Sequence, residues 1–185
     1  MIDPALVIRP VGPHNFADLA TLFEARGGPA SCWCSLWRAK PKAATTGPPE
    51  ARKGVRKAVM QAMVARGVPV GLLAYRGAAP VGWCAVGPRE SLLSIGGAEA
   101  APGTIWTITC FFVPRALRGQ GIAAALLQAA ITHARAQGAL VIEASPVDPT
   151  SPSYRFMGFV PQFLAAGFTE VCTAGIRRHV MQRLL

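Results

Sequence analysis

Acidic side chains are scarce in this sequence: of 185 residues, 9 are Asp or Glu against 19 Lys or Arg, a formal net charge of +10. A surplus of that size points to an anionic partner, whether nucleic acid, an acidic membrane surface or a phosphorylated ligand. Long apolar runs are missing too. None approaches the roughly 20 residues that cross a bilayer, and Met1-Ile2-Asp3-Pro4 opens no basic-then-apolar leader, so the expectation is a cytoplasmic protein without a membrane partner. Charged residues make up only 15% and hydrophobic ones 51%; with Gly 19 and Pro 16, this excludes a disordered tail, a coiled coil and a collagen-like repeat. Cysteines are too few for a disulfide scaffold: Cys32, Cys34, Cys84, Cys110 and Cys172 are odd in number and scattered, which fits reduced thiols. Cys32-Trp33-Cys34 has no second pair of ligands at zinc-site spacing, so no metal is expected. No internal repeat or low-complexity tract is present, and residues 1–185 read as a single domain that buries roughly 70% of its unfolded surface.

What is there alternates between two periods. Residues 5–10 read as a strand and 14–26 as a helix, with Phe16, Leu19, Leu22 and Phe23 at helical spacing before Gly27-Gly28. Residues 29–50 show no period and read as a long loop carrying Trp33 and Trp37. A basic amphipathic helix spans 51–66, and two apolar segments, 68–75 and 80–86, form a hairpin across Arg76-Gly77-Ala78-Ala79. A looser stretch with Gly96-Gly97 and Pro102-Gly103 leads to a buried strand over 104–113. A helix over 121–137 follows, then a strand over 139–144, a Pro-rich loop, a short helix over 161–166, and strands over 168–173 and 179–184.

The segment 104–138 carries the chemistry: a strand, the loop Pro114-Arg115-Ala116-Leu117-Arg118-Gly119-Gln120-Gly121, and a helix opening at Ile122-Ala123. A glycine-bearing loop at a helix N-terminus exposes unpaired N–H groups at the positive end of the dipole, a seat for pyrophosphate. The same residues also suit a merely tight strand-to-helix turn. The spacing is neither that of a Walker loop nor that of a dinucleotide fingerprint. Arg118-Gly119-Gln120-Gly121-Ile122-Ala123 resembles the Arg/Gln-x-x-Gly-x-Gly/Ala signature of the GNAT superfamily of acyl-CoA-dependent N-acyltransferases. Phe163-Leu164-Ala165-Ala166-Gly167-Phe168 resembles that family's short helix and Gly-Phe turn.

The resemblance implies an α/β (α+β) fold: a central mixed, mostly antiparallel sheet of about 6–7 strands flanked by about 4 helices. It implies acetyl-CoA as acyl donor, its pantetheine arm pairing with the backbone of Phe111 and Val113 and its pyrophosphate held by the amides of Arg118, Gly119, Gln120, Gly121, Ile122 and Ala123. Arg115 and Arg118 stand as nearby countercharges, although Arg115 suits a solvated surface equally. It also implies direct attack by a primary amine of a small-molecule or peptide acceptor, for which the protein must take up a proton. Glu143, in the apolar strand Leu140-Val141-Ile142-Glu143-Ala144, is the candidate base; a solvent-facing or salt-bridged strand residue is its other reading.

The family's usual tyrosine acid is matched here by Phe163, so Tyr154 is the candidate donor, or else an exposed loop tyrosine. Trp33 and Trp37 wall the acceptor or fill the core, and Cys110 lines the cleft or packs as a small hydrophobe. His133, in mid-helix, reads as packed or solvated. The rival function is a non-catalytic module that binds acyl-CoA or nucleic acid. The basic residues are spread over helices and termini with no aromatic interleaving, which speaks against nucleic acid. A homodimer stays open.

Overall fold

The computed structural model describes residues 6–93 and 102–185; Gly96-Gly97 and the first five residues lie outside that set. The elements run β1 (Leu6–Pro10), α1 (Phe16–Glu24), α2 (Pro49–Ala65), β2 (Leu72–Arg76), β3 (Ala79–Pro88), β4 (Ile105–Phe112), α3 (Ile122–Ala136), β5 (Val141–Ala144), α4 (Val160–Ala165), β6 (Thr169–Ala174) and β7 (Arg178–Leu184). They form a seven-stranded sheet in the order β1-β2-β3-β4-β5-β7-β6. Every neighbouring pair is antiparallel except β4 and β5, which α3 connects as a parallel crossover. The expected mixed, mostly antiparallel sheet with four helices is what the chain forms.

Two strand starts differ from the sequence reading. The segment expected from residue 68 joins the sheet only at Leu72, because Pro69 has no N–H to give a ladder and Gly71 adopts φ 152. The strand expected from 139 begins at Val141, since the N–H groups of Leu140 and Val141 both close on the Thr104 carbonyl, at 2.9 and 3.1 Å.

Alternation along the strands sends side chains to two cores. On one face Ile108, Ile142, Ala144 and Met181 pack against Ile122, Leu126, Leu127, Ala130, Ile131 and Ala134 of α3 and Phe163 of α4. On the other, Leu73, Tyr75, Trp83 and Ala85 meet Phe16, Leu19, Leu22 and Phe23 of α1 and Met60 and Val64 of α2. A 15-residue helix is marginal alone, so this packing, at about 1.5–3 kcal/mol per large buried side chain, fixes where α3 begins. Gly82 sets how close α3 lies: a Cβ there would come within 2.7 Å of Ile122 Cγ2 and 3.1 Å of Leu126 Cδ1.

β4 contains a bulge. Val86 pairs with Ile108 but Ala85 pairs with Cys110, so Thr109 is an extra residue against β3. Before the bulge Ile108 faces α3; after it Phe111 does, and Cys110 and Phe112 pack against the α1–α2 core.

Candidate active site

Beyond the bulge, the sheet opens. β4 pairs with β5 at four positions only, from Ile105↔Val141 to Ile108↔Ala144, yet β4 runs on to Phe112. A seam therefore opens between the end of β4 and the chain that follows β5.

On the α3 side, the seam meets a groove of about 760 Å³ lined by Phe111, Val113, Arg118, Ala123, Phe159 and Phe163, among others. Phe111 and Phe163 meet edge to face at 6.2 Å. At one end of the groove stands the α3 N-terminus. Gly121 caps it at φ 78, a left-handed conformation that side chains disfavour. The first helical bond runs from Ala125 N–H to the Gly121 carbonyl at 3.0 Å, so the N–H groups of Ile122, Ala123 and Ala124 point past the helix end. Gly119 shares the left-handed φ of 78 and faces open space. Two side chains of the loop have other engagements. Arg118 Nε donates to the Val113 carbonyl at 3.1 Å, closing the loop onto the strand it leaves. Gln120 Oε1 accepts from both terminal nitrogens of Arg76 at 3.2 Å, and its Nε2 donates to the Ala116 carbonyl at 3.3 Å. Thus the Gln120 side chain is turned to Arg76 and Ala116, while Arg118, bound through Nε, still lines the groove beside the backbone amides.

Glu143 lies on the opposite face of the sheet, next to Thr107 on β4 and Gln182 on β7. Its side chain is 0% exposed. Oε2 accepts from Gln182 Nε2 at 2.8 Å and pairs with Arg89 Nη1 at 3.5 Å. Burial pushes the carboxyl above its ordinary range, and the Gln182 and Arg89 contacts pull it part of the way back. Of the alternatives to a base, the solvent-facing one is excluded and the salt-bridged one is met through Arg89. Among the described residues, Thr107 Oγ1, Glu143 Oε1 and Ser145 Oγ are buried without a hydrogen-bond partner. Alternation puts all three on this face. Orphaned polar atoms so clustered mark a place built for a polar guest.

Sequence reasoning missed Arg89, Gln182, Thr107 and Ser145. Only the inward alternation of Val180 and Gln182 along β7 offered a signal.

The two tryptophans of the long loop part company. Trp33 is 0% exposed. It packs on Phe16 at 6.0 Å and Phe23 at 5.2 Å, so it is core and not an acceptor wall. Trp33 and Cys34 both adopt left-handed φ, 48 and 46, which turns the chain so that Trp37 emerges at the surface end of the site. Cys34 is buried and accepts from Trp83 Nε1 at 3.1 Å. The Cys110 thiol beside it, together with burial, pushes the Cys34 thiol well up, and the Cys32 and Trp83 contacts pull it part of the way back. Cys110, half-buried, packs against the α1–α2 core with its thiol 3.7 Å from the Phe111 carbonyl. All five thiols are unbridged. Among the described residues, no three His, Cys, Asp or Glu side chains are placed to hold a metal ion.

Tyr154 is 37% exposed. It sits at φ 58 ahead of the turn Arg155–Met157 and meets Trp37 at 6.4 Å between ring centroids. The Arg178 guanidinium lies 4.8 Å from the Trp37 ring and 5.6 Å from the Tyr154 ring. The register places Arg178 against Val147, and Gln182 against Glu143. Four residues at about 3.3 Å each thus separate this aromatic mouth from the level of Glu143, roughly 13 Å. The structure brings Tyr154 together with Trp37, and not with Glu143.

No curated protein matches the chain by sequence. Among solved structures, an acetyltransferase from Thermus thermophilus is 18% identical, with a TM-score of 0.59 and 100% of each chain covered. The PaiA N-acetyltransferase of Thermoplasma acidophilum, solved with coenzyme A, is 13% identical at TM-score 0.57, covering 97% of this chain and 99% of its own. The putative acetyltransferase yncA of Salmonella typhimurium, solved with acetyl-CoA, is 17% identical at TM-score 0.55, covering 98% and 94%. These likenesses are of fold. Residues 33–159 match the sequence model of the acetyltransferase (GNAT) family, a span that holds the seam, the glycine loop, α3 and Glu143, and the chain belongs to that family.

Proposed function

We propose that the chain transfers the acetyl group of acetyl-CoA to a primary amine of a small-molecule or peptide acceptor. The observation that carries this reading is the seam. It joins a groove ending at a helix N-terminus, on one face, to a buried carboxylate with orphaned polar neighbours on the other. The groove suits the donor: Phe111 and Val113 offer an unpaired strand edge to an extended amide chain, and the Ile122 and Ala123 amides offer donors to a pyrophosphate. Acetyl-CoA supplies a thioester, whose C–S bond breaks as the acceptor nitrogen forms the new C–N bond.

The acceptor must lose a proton. A lysine-like amine with pKa near 10.4 is neutral at pH 7 only at a cost of about 4–5 kcal/mol. Glu143 receives that proton, through water bound by Thr107 Oγ1, Ser145 Oγ and its own Oε1. Arg89 and Gln182 hold the other carboxylate oxygen and fix its direction.

The proton returned to the coenzyme A thiolate matters less. Phe163, buried at the position of the family's usual tyrosine, has none to give. A thiolate whose conjugate acid has a pKa near 8.5 is already a tolerable leaving group. Tyr154→Phe keeps the ring at the mouth and removes the hydroxyl, so turnover is expected to fall by about tenfold or less, about 1.4 kcal/mol of barrier. A thousandfold loss with acetyl-CoA affinity intact would make Tyr154 the acid.

The missing hydroxyl at Phe163 favours a second reading, a domain that binds acyl-CoA without turnover. One assay separates the two: release of coenzyme A thiol from acetyl-CoA across a panel of amines, amino acids and peptides, with acetyl-CoA affinity measured in parallel by calorimetry. Transfer requires amine-dependent release. Tight binding without release to any amine supports the sensor.

A further inference from the structure

A cluster of three side chains stands at the mouth of the site. Trp37 comes from the α1–α2 loop, Tyr154 from the β5–α4 connection and Arg178 from the first position of β7, so three distant segments converge on one guanidinium. Both rings lie within cation–π reach of that guanidinium, on adjacent sides of it, and its N–H donors act in its own plane. It carries five donors, enough to add a carboxylate to whatever else it holds. A second observation points the same way: Trp37 Nε1, in the same cluster, is buried without an acceptor among the described residues.

Two further arginines lie close by among the described residues. Arg177 donates to Ser153 Oγ at 3.2 Å beside Tyr154, and Arg155 lies over the Phe159 ring at 4.7 Å. The carboxylates of Asp148 and Glu170 are engaged with His179, at 3.3 and 3.1 Å. His179 alternates with Arg178 and faces away from it.

We propose that Arg178, braced by Trp37 and Tyr154 and joined by the Trp37 indole N–H, binds a carboxylate of the acceptor, which makes the substrate class amino carboxylates. Arg178 shares its sheet face with Val180 and Gln182, and the level of Val180 falls midway between the Glu143↔Gln182 pair and the Val147↔Arg178 bridge. The seam opens at that level, so amine and carboxylate lie roughly 7 Å apart along β7, about two strand residues. A plain diamine would set a cation against Arg178, and an amino amide would surrender the charge-assisted pair.

This inference rests on the acetyl-transfer reading, and the test keeps the two apart by measuring acetyl-CoA binding calorimetrically in each variant before any acceptor is added. Glycine, β-alanine, 4-aminobutyrate and 6-aminohexanoate are then compared with their carboxamides and with diamines of matching length. The expected result is a kcat/KM for the best amino carboxylate at least about tenfold above that of its amide, carried by KM. In Arg178→Gln this ratio falls toward one, with acetyl-CoA affinity within about twofold of the parent; Trp37→Phe, which keeps the cluster and removes the N–H, lowers it by a smaller factor. Trp37→Phe provides the reading if Arg178→Gln does not fold. Amides or diamines used as well as amino carboxylates, a preference that survives in both variants, or no acetylation of any amino carboxylate by protein that binds acetyl-CoA would each overturn the proposal. Failure of acetyl-CoA itself to bind would instead sink the acetyl-transfer reading.

Discussion

Gly121→Glu weakens acetyl-CoA binding by at least about a hundredfold, or about 2.7 kcal/mol, as the expected result of two effects with different origins. The first is conformational: Gly121 sits at φ 78, where any L side chain costs roughly 1–2 kcal/mol. That strain falls on free and bound protein alike and appears mainly as lost stability. The second is electrostatic. The new carboxylate stands at the positive end of α3, beside the Ile122 and Ala123 amides that a pyrophosphate needs, and repels two phosphate charges as well as occupying their place. Gly121→Ala separates the effects, since it carries the same left-handed strain without the charge. Calorimetry should therefore show a modest loss for Gly121→Ala and near-complete loss for Gly121→Glu, both proteins melting cooperatively. Equal affinity in Gly121→Glu and the parent would remove the helix terminus from the donor site.

Glu143→Gln should lower kcat by about a hundredfold, within the range for a lost general base, while acetyl-CoA affinity stays near that of the parent. The amide keeps the shape and can still meet Gln182 and Arg89, but it cannot accept a proton. The pH profile adds the sign. A base works only when deprotonated, and burial raises the Glu143 carboxyl. Activity in the parent is thus lost on acidification at a higher pH than an ordinary glutamate near 4.3 would give. Glu143→Gln should lack that acid limb. Unchanged turnover, or a limb that persists in the variant, would transfer the role of base elsewhere.

How far the sequence reached follows from how local each signal was. The run from β4 through the glycine loop to α3 was readable because every element of it, β-branched strand, paired glycines and 3.6-residue stripe, sits within 35 consecutive residues (104–138). Glu143 was readable as a lone carboxylate in an apolar strand. Its partners were not: Arg89 is 54 residues away in sequence and Gln182 is 39, and only the β5–β7 register and the end of β3 bring them in. Trp33 and Trp37 had identical standing in an aperiodic loop. Two consecutive left-handed residues, Trp33 and Cys34, send one inward and let the other out, and no pattern announces such a turn. Residues 68–71 are apolar enough for a strand, yet Pro69 withholds the N–H that pairing requires.

The bulge at Thr109 also fixes the strand's parity. Each residue past it points the opposite way from where unbroken alternation would send it. Phe111 consequently turns toward α3 and the groove, while Cys110 and Phe112 pack against the α1–α2 core. One inserted residue thus decides which side chains of the strand's outer half meet α3 and which meet the α1–α2 core. An insertion of one residue beside Thr109 would exchange those allotments without removing a single chemical group. Length, rather than identity, is the property of this segment that a redesign could least afford to change.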